Sequence, residues 1–366
     1  MGFSDFLGNE RIVTALRGAL RNDRVPHALL FTGVRGVGKY MLARFFAQAA
    51  TCERMKDDFC GTCTTCLRTA LLANREALIE EGLAERGESA DAAAVERMPL
   101  ILQTHPDVWV LAPDPVRLKV PVARPLLRVG QLRAVQRAAY FHPMGRRRVF
   151  ILDGAETMRW DVTDVMLKML EEPPGSATFI LTAPSPYSLS STIVSRCMQF
   201  HFAPLSQGQV EAVLKKQSDR SAAEIKMAAQ LAEGSPGVAL QLDVGEAEKR
   251  RKDALRILER AAEGTGFGQL FVDTAAMAKD RETSFEEQLE VFYGLLSDLL
   301  KLTAKVREPV LRNAGLAREL AALSERVDSR WVMRAIKGFD EVHAGAWRNL
   351  NRQLGLDALA ASLAPR

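Results

Sequence analysis

The chain has 366 residues, of which 47% are hydrophobic and 26% charged, with a net charge of +4. That length exceeds one ordinary core and predicts two or three domains, while the small positive balance is that of an ordinary globular surface. No apolar run approaches a bilayer span and Met1-Gly2-Phe3-Ser4-Asp5 lacks a signal-peptide layout, so a cytoplasmic location is expected, where five cysteines read as metal ligands before disulfides.

Asn9 predicts the cap of a helix that carries Ile12, Val13, Leu16, Ala19 and Leu20 on one face. His27, read as structural, precedes an apolar strand, Ala28-Leu29-Leu30-Phe31, which opens into Thr32-Gly33-Val34-Arg35-Gly36-Val37-Gly38-Lys39-Tyr40 and a helical pattern from Met41. Strand, glycine loop and helix make the setting of a phosphate-binding loop. Gly33, Gly36 and Gly38 let successive N–H groups converge, the helix N-terminus adds positive potential, and Lys39 supplies a mobile charge for terminal phosphates. The pattern requires Ser or Thr after the lysine to ligate Mg²⁺. Tyr40 stands there, and a phenol does not place its oxygen where a short hydroxyl sits. ATP or ADP is therefore expected to bind weakly or not at all, without hydrolysis.

Next comes Cys52-x7-Cys60-x2-Cys63-x2-Cys66. Four thiolates at short spacing suit a closed tetrahedral zinc site of structural type. A C-x2-C pair alone would equally serve redox chemistry, but no histidine or carboxylate lies within the cluster to leave an open position. Residues 67–98 read as a charged, alanine-rich helical insertion whose Glu80-Glu81, Glu85-Arg86-Gly87-Glu88 and Asp91 form a solvated face.

Val108-Trp109-Val110-Leu111 predicts a buried strand, and residues 131–140 a helix. Arg146-Arg147-Arg148 reads either as a phosphate-backbone contact or as a solvated turn. It precedes a strand ending in Asp153, the Walker B arrangement, in which a working ATPase usually continues with Glu. Gly154 follows instead, which leaves Asp153 to position metal or water or to bond the phosphate loop; Glu156 is assigned no role. A helix over 162–170 and a strand over 178–182 complete an alternating strand–helix pattern, expected to form a mainly parallel sheet with helices on both faces. Past Leu205 the periodicity is helical, with a boundary in the charged run 246–252 and an amphipathic helix over 285–302.

Taken together, these pieces resemble the clamp-loader branch of the AAA+ ATPases, and within it the delta-prime family of bacterial DNA polymerase III subunits. The resemblance rests on His27 to Phe31 running into Gly33 and Lys39, the four cysteines after the loop helix, His105-Pro106-Asp107, Leu167-Lys168-Met169-Leu170-Glu171-Glu172-Pro173-Pro174, Ser195-Arg196-Cys197 and Gly234-Ser235-Pro236-Gly237. It implies an AAA+ domain over 1–205, with a zinc module at 52–66 and the insertion at 67–98. A helical lid over 206–245 and an all-α collar over 246–366 would follow. The motor subunits of that machine, gamma and tau, carry Lys-Thr, Asp-Glu and a lid arginine. This chain shows Tyr40, Gly154 and Gly237-Val238-Ala239-Leu240 at those places, and the polar sensor position is read as lost to Ala183 or Pro184 beside Thr182.

By resemblance, then, the chain is a non-hydrolysing stator and a component of the polymerase holoenzyme rather than an enzyme by itself. It would join gamma/tau and delta subunits in a hetero-pentamer that loads the sliding clamp on primer–template DNA. Arg196 would point into a neighbouring subunit's ATP site as an arginine finger; the lesser alternative is an arginine pairing a carboxylate at a domain edge. The competing expectation is an active gamma/tau-like motor ATPase with Glu156 or water replacing the missing groups. A weaker one is a stand-alone zinc protein binding DNA through the Arg146 to Arg148 triplet.

Overall fold

A computed structural model describes residues 2–87, 92–115, 125–264, 266–279, 285–347 and 351–364; Glu88 and Asp91 of the expected charged face lie outside them. The chain divides into two compact units, one comprising Met1–Asp219 with Gly234–Leu240, the other Arg220–Glu233 with Gln241–Arg366. Among the described residues, no helix is long and apolar enough to cross a membrane.

The first unit opens with α1 (Glu10–Arg21), which buries Ile12, Leu16 and Leu20. Asn9 occupies the cap position but makes no capping bond: its backbone is left-handed, and its amide exchanges two hydrogen bonds with the backbone of Ala203 instead. Strand β1 (Ala28–Thr32) leads through the glycine loop into α2 (Lys39–Thr51). Residues 42–51 of α2 are all buried, because the cysteine-bearing loop and α3 (Thr64–Ala70) cover its outer side. The insertion is helical as expected, continuing into α4 (Arg75–Arg86) and α5 (Ala92–Arg97).

Five further strands complete the sheet, namely β2 (Leu102–His105), β3 (Val108–Leu111), β4 (Arg148–Leu152), β5 (Ala177–Ala183) and β6 (Met198–His201). Their order is β2-β3-β4-β5-β1-β6, parallel except for the β2–β3 pair. Every residue of β1, β4 and β5 is buried, the mark of a parallel sheet covered on both faces, which is why these strands read as unbroken apolar runs. Helix α2 packs on one face; α6 (Val129–Ala139) and α7 (Trp160–Glu171) share a core with Leu30, Phe150 and Leu181 on the other. This is the mainly parallel sheet with helices on both faces expected from the sequence. The short α8 (Ser191–Val194) precedes β6, and α9 (Gln207–Gln217) closes the segment.

Arg146 is exposed at a bend, as a solvated turn would have it, but none of the three arginines forms a free basic patch. Arg148 is buried and donates to Asp107 Oδ1 through Nε (3.1 Å) and Nη2 (2.9 Å), and to the Ala138 carbonyl through Nη1 at 2.6 Å. Arg147 reaches the Thr178 hydroxyl at 3.3 Å, and Arg146 Nη2 donates to the carbonyls of Ala49, Cys52 and Met55 at 3.0, 3.2 and 2.8 Å. Each guanidinium satisfies an internal acceptor, so the signal that suggested a nucleic-acid patch belongs to the structure.

The second unit is helical, built from α10 (Ala222–Leu231) and, after α11 (Pro236–Gln241), from α12 (Val244–Glu263), α13 (Phe267–Lys279), α14 (Phe285–Thr303), α15 (Ala317–Ser324), α16 (Ser329–Trp347) and α17 (Arg352–Leu363). The expected stripe on α14 is its core: Leu289, Phe292, Leu295, Leu296 and Leu299 are buried, with Leu300 half-buried. Asp298 lies in the same helix, buried, and accepts the N–H groups of Arg312 and Asn313 at 3.0 and 2.8 Å, pinning the loop that follows.

Candidate nucleotide site and cysteine cluster

Order in the sheet decides which residues meet. The glycine loop leaves the C-terminal end of β1 and Asp153 follows β4, with the end of β5 between them, the crevice where parallel sheets bind ligands. Gly33, Gly36 and Gly38 take φ of 143°, 77° and 102°, a region that favours glycine. At Gly36 the approach is also tight. A Cβ there would lie 2.8 Å from the Val238 nitrogen, and Gly237 N–H donates to the Gly36 carbonyl at 2.9 Å. Lys39 turns back on its own loop, donating to the carbonyls of Gly33 (2.6 Å) and Val34 (2.9 Å). Burial holds its ammonium below the ordinary lysine range, with Glu156 pulling the other way.

The groups that would face a metal are already engaged. The Tyr40 phenol points away from the loop and donates to the Leu72 carbonyl at 2.7 Å; burial pushes it up to about 12, so it stays a neutral donor. Asp153 accepts the Thr182 hydroxyl on Oδ1 at 2.6 Å and pairs through Oδ2 with the guanidinium of Arg75. Thr182 also accepts the Gly154 N–H at 3.1 Å. The polar residue at the end of β5 is therefore Thr182; the neighbouring Ala183 is buried in the core. Nothing along the chain singles out Arg75. It lies 78 positions from Asp153 in an insertion without a motif, and only the fold of 71–75 against α2 brings it there.

Gly33, Gly36, Gly38 and Lys39 thus sit beyond the end of β1 and Asp153 beyond the end of β4, with Thr182 at the end of β5 between them. Arg196 lies apart from these contacts, just beyond α8, with Nη1 donating to the Thr192 carbonyl (2.9 Å) and Nη2 to Glu171 Oε1 (2.8 Å). Its side chain is 34% exposed and that of Glu171 52%, so solvent screens the pair and the guanidinium is available to a competitor.

Cys52, Cys60, Cys63 and Cys66 come together with their sulfurs all within 4.8 Å of one another, three of them buried. Cys60 Sγ accepts from the N–H groups of Cys63 (3.3 Å) and Thr62 (3.5 Å) and from the Thr62 hydroxyl (3.6 Å), which hold its thiol down to about 5. Sulfur-only donors at this separation fit a metal ion bound by four thiolates. When bound, such an ion staples the loop; the chain's own part is to hold the four sulfurs and, through Arg146, the carbonyls around Cys52. Cys197 stands apart, its thiol pushed up to about 12 by burial, and is a core residue.

A family model described as DNA polymerase III, delta subunit, matches residues 8–206. Among curated proteins, the tau/gamma subunit of DNA polymerase III from Haemophilus influenzae is 32% identical over 57% of this chain and 25% of its own length. The tau subunit from Escherichia coli is 31% identical over 78% of this chain and 36% of its own. The delta' subunit from Bacillus subtilis is 25% identical over 80% of this chain and 77% of its own. The chain spans less than half the length of the tau and tau/gamma relatives it matches. Because the family match covers more than half of its residues, the chain belongs to the DNA polymerase III delta subunit family.

Proposed function

We propose that the chain is a delta-prime-like stator of a bacterial clamp loader, one that has given up ATP hydrolysis and serves a neighbouring motor subunit. The observation that carries this reading is the state of Asp153. Its Oδ1 accepts the Thr182 hydroxyl and its Oδ2 is paired with the cationic Arg75, while Tyr40 turns its only oxygen to Leu72, so the carboxylate's charge is already met and the phenol is turned away from a metal. Gly154 supplies no carboxylate for a water, and Lys39 is spent on loop carbonyls. Arg196 supports the other half of the reading. A guanidinium held only by a main-chain carbonyl and an exposed carboxylate is released at little cost when a triphosphate in a partner's site competes for it. In this reading residues 206–245 act as lid and 246–366 as collar. The cysteine cluster holds structural zinc. The partners are gamma/tau and delta subunits, the sliding clamp and, through the assembly, primer–template DNA in the cytoplasm.

The test is ATP hydrolysis by the chain alone and by a complex assembled with motor subunits. The chain alone is expected to be inactive. Lys39→Ala leaves the turnover of the complex unchanged, whereas Arg196→Ala lowers it by a factor of about 10³ at the one site it serves. Mg²⁺-dependent turnover by the isolated chain that Lys39→Ala abolishes overturns the reading in favour of a motor ATPase.

A further inference from the structure

The segment after the cysteine cluster reaches back into the nucleotide site. The Leu72 carbonyl receives the Tyr40 phenol, and three residues later Arg75 opens α4 with its guanidinium 5.3 Å from the centre of the Tyr40 ring and ion-paired to Asp153. Tyr40 occupies the position from which a P-loop hydroxyl reaches the metal, and Asp153 is the strand-end carboxylate that faces the same metal across the site. Arg75 bridges these two positions. It stacks on the first and neutralises the second.

We propose that Arg75 is the resident cation of this pocket, a guanidinium tethered where a divalent ion would otherwise sit, which keeps Mg²⁺ from Asp153. This goes beyond the loss of the hydroxyl at position 40, since a carboxylate at the end of β4 and the phosphates of a nucleotide would still attract Mg²⁺ unless the carboxylate were already paired. A guanidinium suits the place because it keeps its charge at every accessible pH and lies flat on an aromatic face. Unlike a metal ion it has no empty coordination position, so it offers phosphate oxygens hydrogen bonds but no Lewis acid. The cysteine cluster gains a role by this: the loop it organises delivers Leu72 and Arg75 to the site.

This inference rests on the non-hydrolysing reading and is tested apart from it. The full-length, zinc-loaded chain is titrated with Mn²⁺ alone, followed by electron paramagnetic resonance, and with a fluorescent N-methylanthraniloyl-ADP with and without Mg²⁺. In the wild type Mn²⁺ stays free and Mg²⁺ changes the nucleotide Kd by less than about twofold, while in Arg75→Gln/Tyr40→Thr Mg²⁺ tightens it by about tenfold or more and Mn²⁺ is bound. Adding Asp153→Asn removes the gain, and Arg75→Lys/Tyr40→Thr, which keeps a cation, behaves as wild type. Arg75 is half-exposed, so circular dichroism of Arg75→Gln should match the wild type. If the double variant responds to both metals as the wild type does, or if Arg75→Lys/Tyr40→Thr gains metal as the double variant does, the inference fails while the wild type stays inactive. Should no variant bind the nucleotide, the Mn²⁺ titration alone decides. Turnover by the wild-type chain is a different result and strikes the stator reading instead.

Discussion

The cysteine cluster and the nucleotide pocket lie on neighbouring parts of one fold, yet they treat a cation in opposite ways. At the cluster, four sulfurs face one another and Cys60 accepts from N–H and O–H donors, a set that could hold a positive ion. At the pocket the chain supplies the positive charge itself: Arg75 pairs Asp153, and Lys39 bonds the loop it was expected to project from. The difference teaches that a motif and a site are separate things. A loop keeps its glycines because the backbone path needs them, whether or not the charges around it are free for a ligand.

The largest effect in breaking this comparison should come at the cluster. Cys63→Ser or Cys66→Ser is expected to lose the metal and more than about 3 kcal/mol of stability, since the binding energy of a structural site is folding energy. Metal content by plasma mass spectrometry and a thermal melt check it, with the melt falling by about 10 °C for a domain of this size. Loss of metal with an unchanged melt would remove the claim that the ion organises the loop.

Arg146→Ala sharpens the same side at smaller cost. It leaves the carbonyls of Ala49, Cys52 and Met55 without their shared donor, which should cost about 1–3 kcal/mol and speed metal release to a chelator. The smallest effect is on the pocket side. Tyr40→Phe removes one hydrogen bond to Leu72, about 1 kcal/mol at neutral pH by urea unfolding. The phenol titrates near 10 when unfolded and at about 12 when folded, so the folded chain holds that proton more tightly. Below pH 10 the group therefore contributes as it does at neutral pH, and stability falls as pH rises from 10 towards 12, because the unfolded chain releases this proton first. The difference between the alkaline unfolding of wild type and Tyr40→Phe isolates this group from the other buried phenols and thiols.

Much of this was legible in the chain before folding. The apolar runs gave β1, β3, β4 and β5 because both faces of a parallel sheet are buried, and the 3.6-residue stripe gave α14 because one face of that helix is. The four cysteines could be grouped because three of them lie within seven residues. Reading failed where a polar residue had two possible partners. Asn9 looked like a helix cap and instead serves Ala203; Arg148 looked basic and solvated and is instead buried on Asp107. Local pattern names a residue's chemistry, not the group that will consume it.

Sequence by itself determined the phosphate-loop architecture, the thiolate cluster and the missing hydroxyl at Tyr40, since each follows from residue type over short spans where the backbone path is set locally. Tertiary structure alone decided which charges remain available. Arg75 and Asp153, 78 positions apart, meet only because 71–75 folds against α2 at the end of β4. An ion pair is a property of distance in space, and no periodicity along the chain records it.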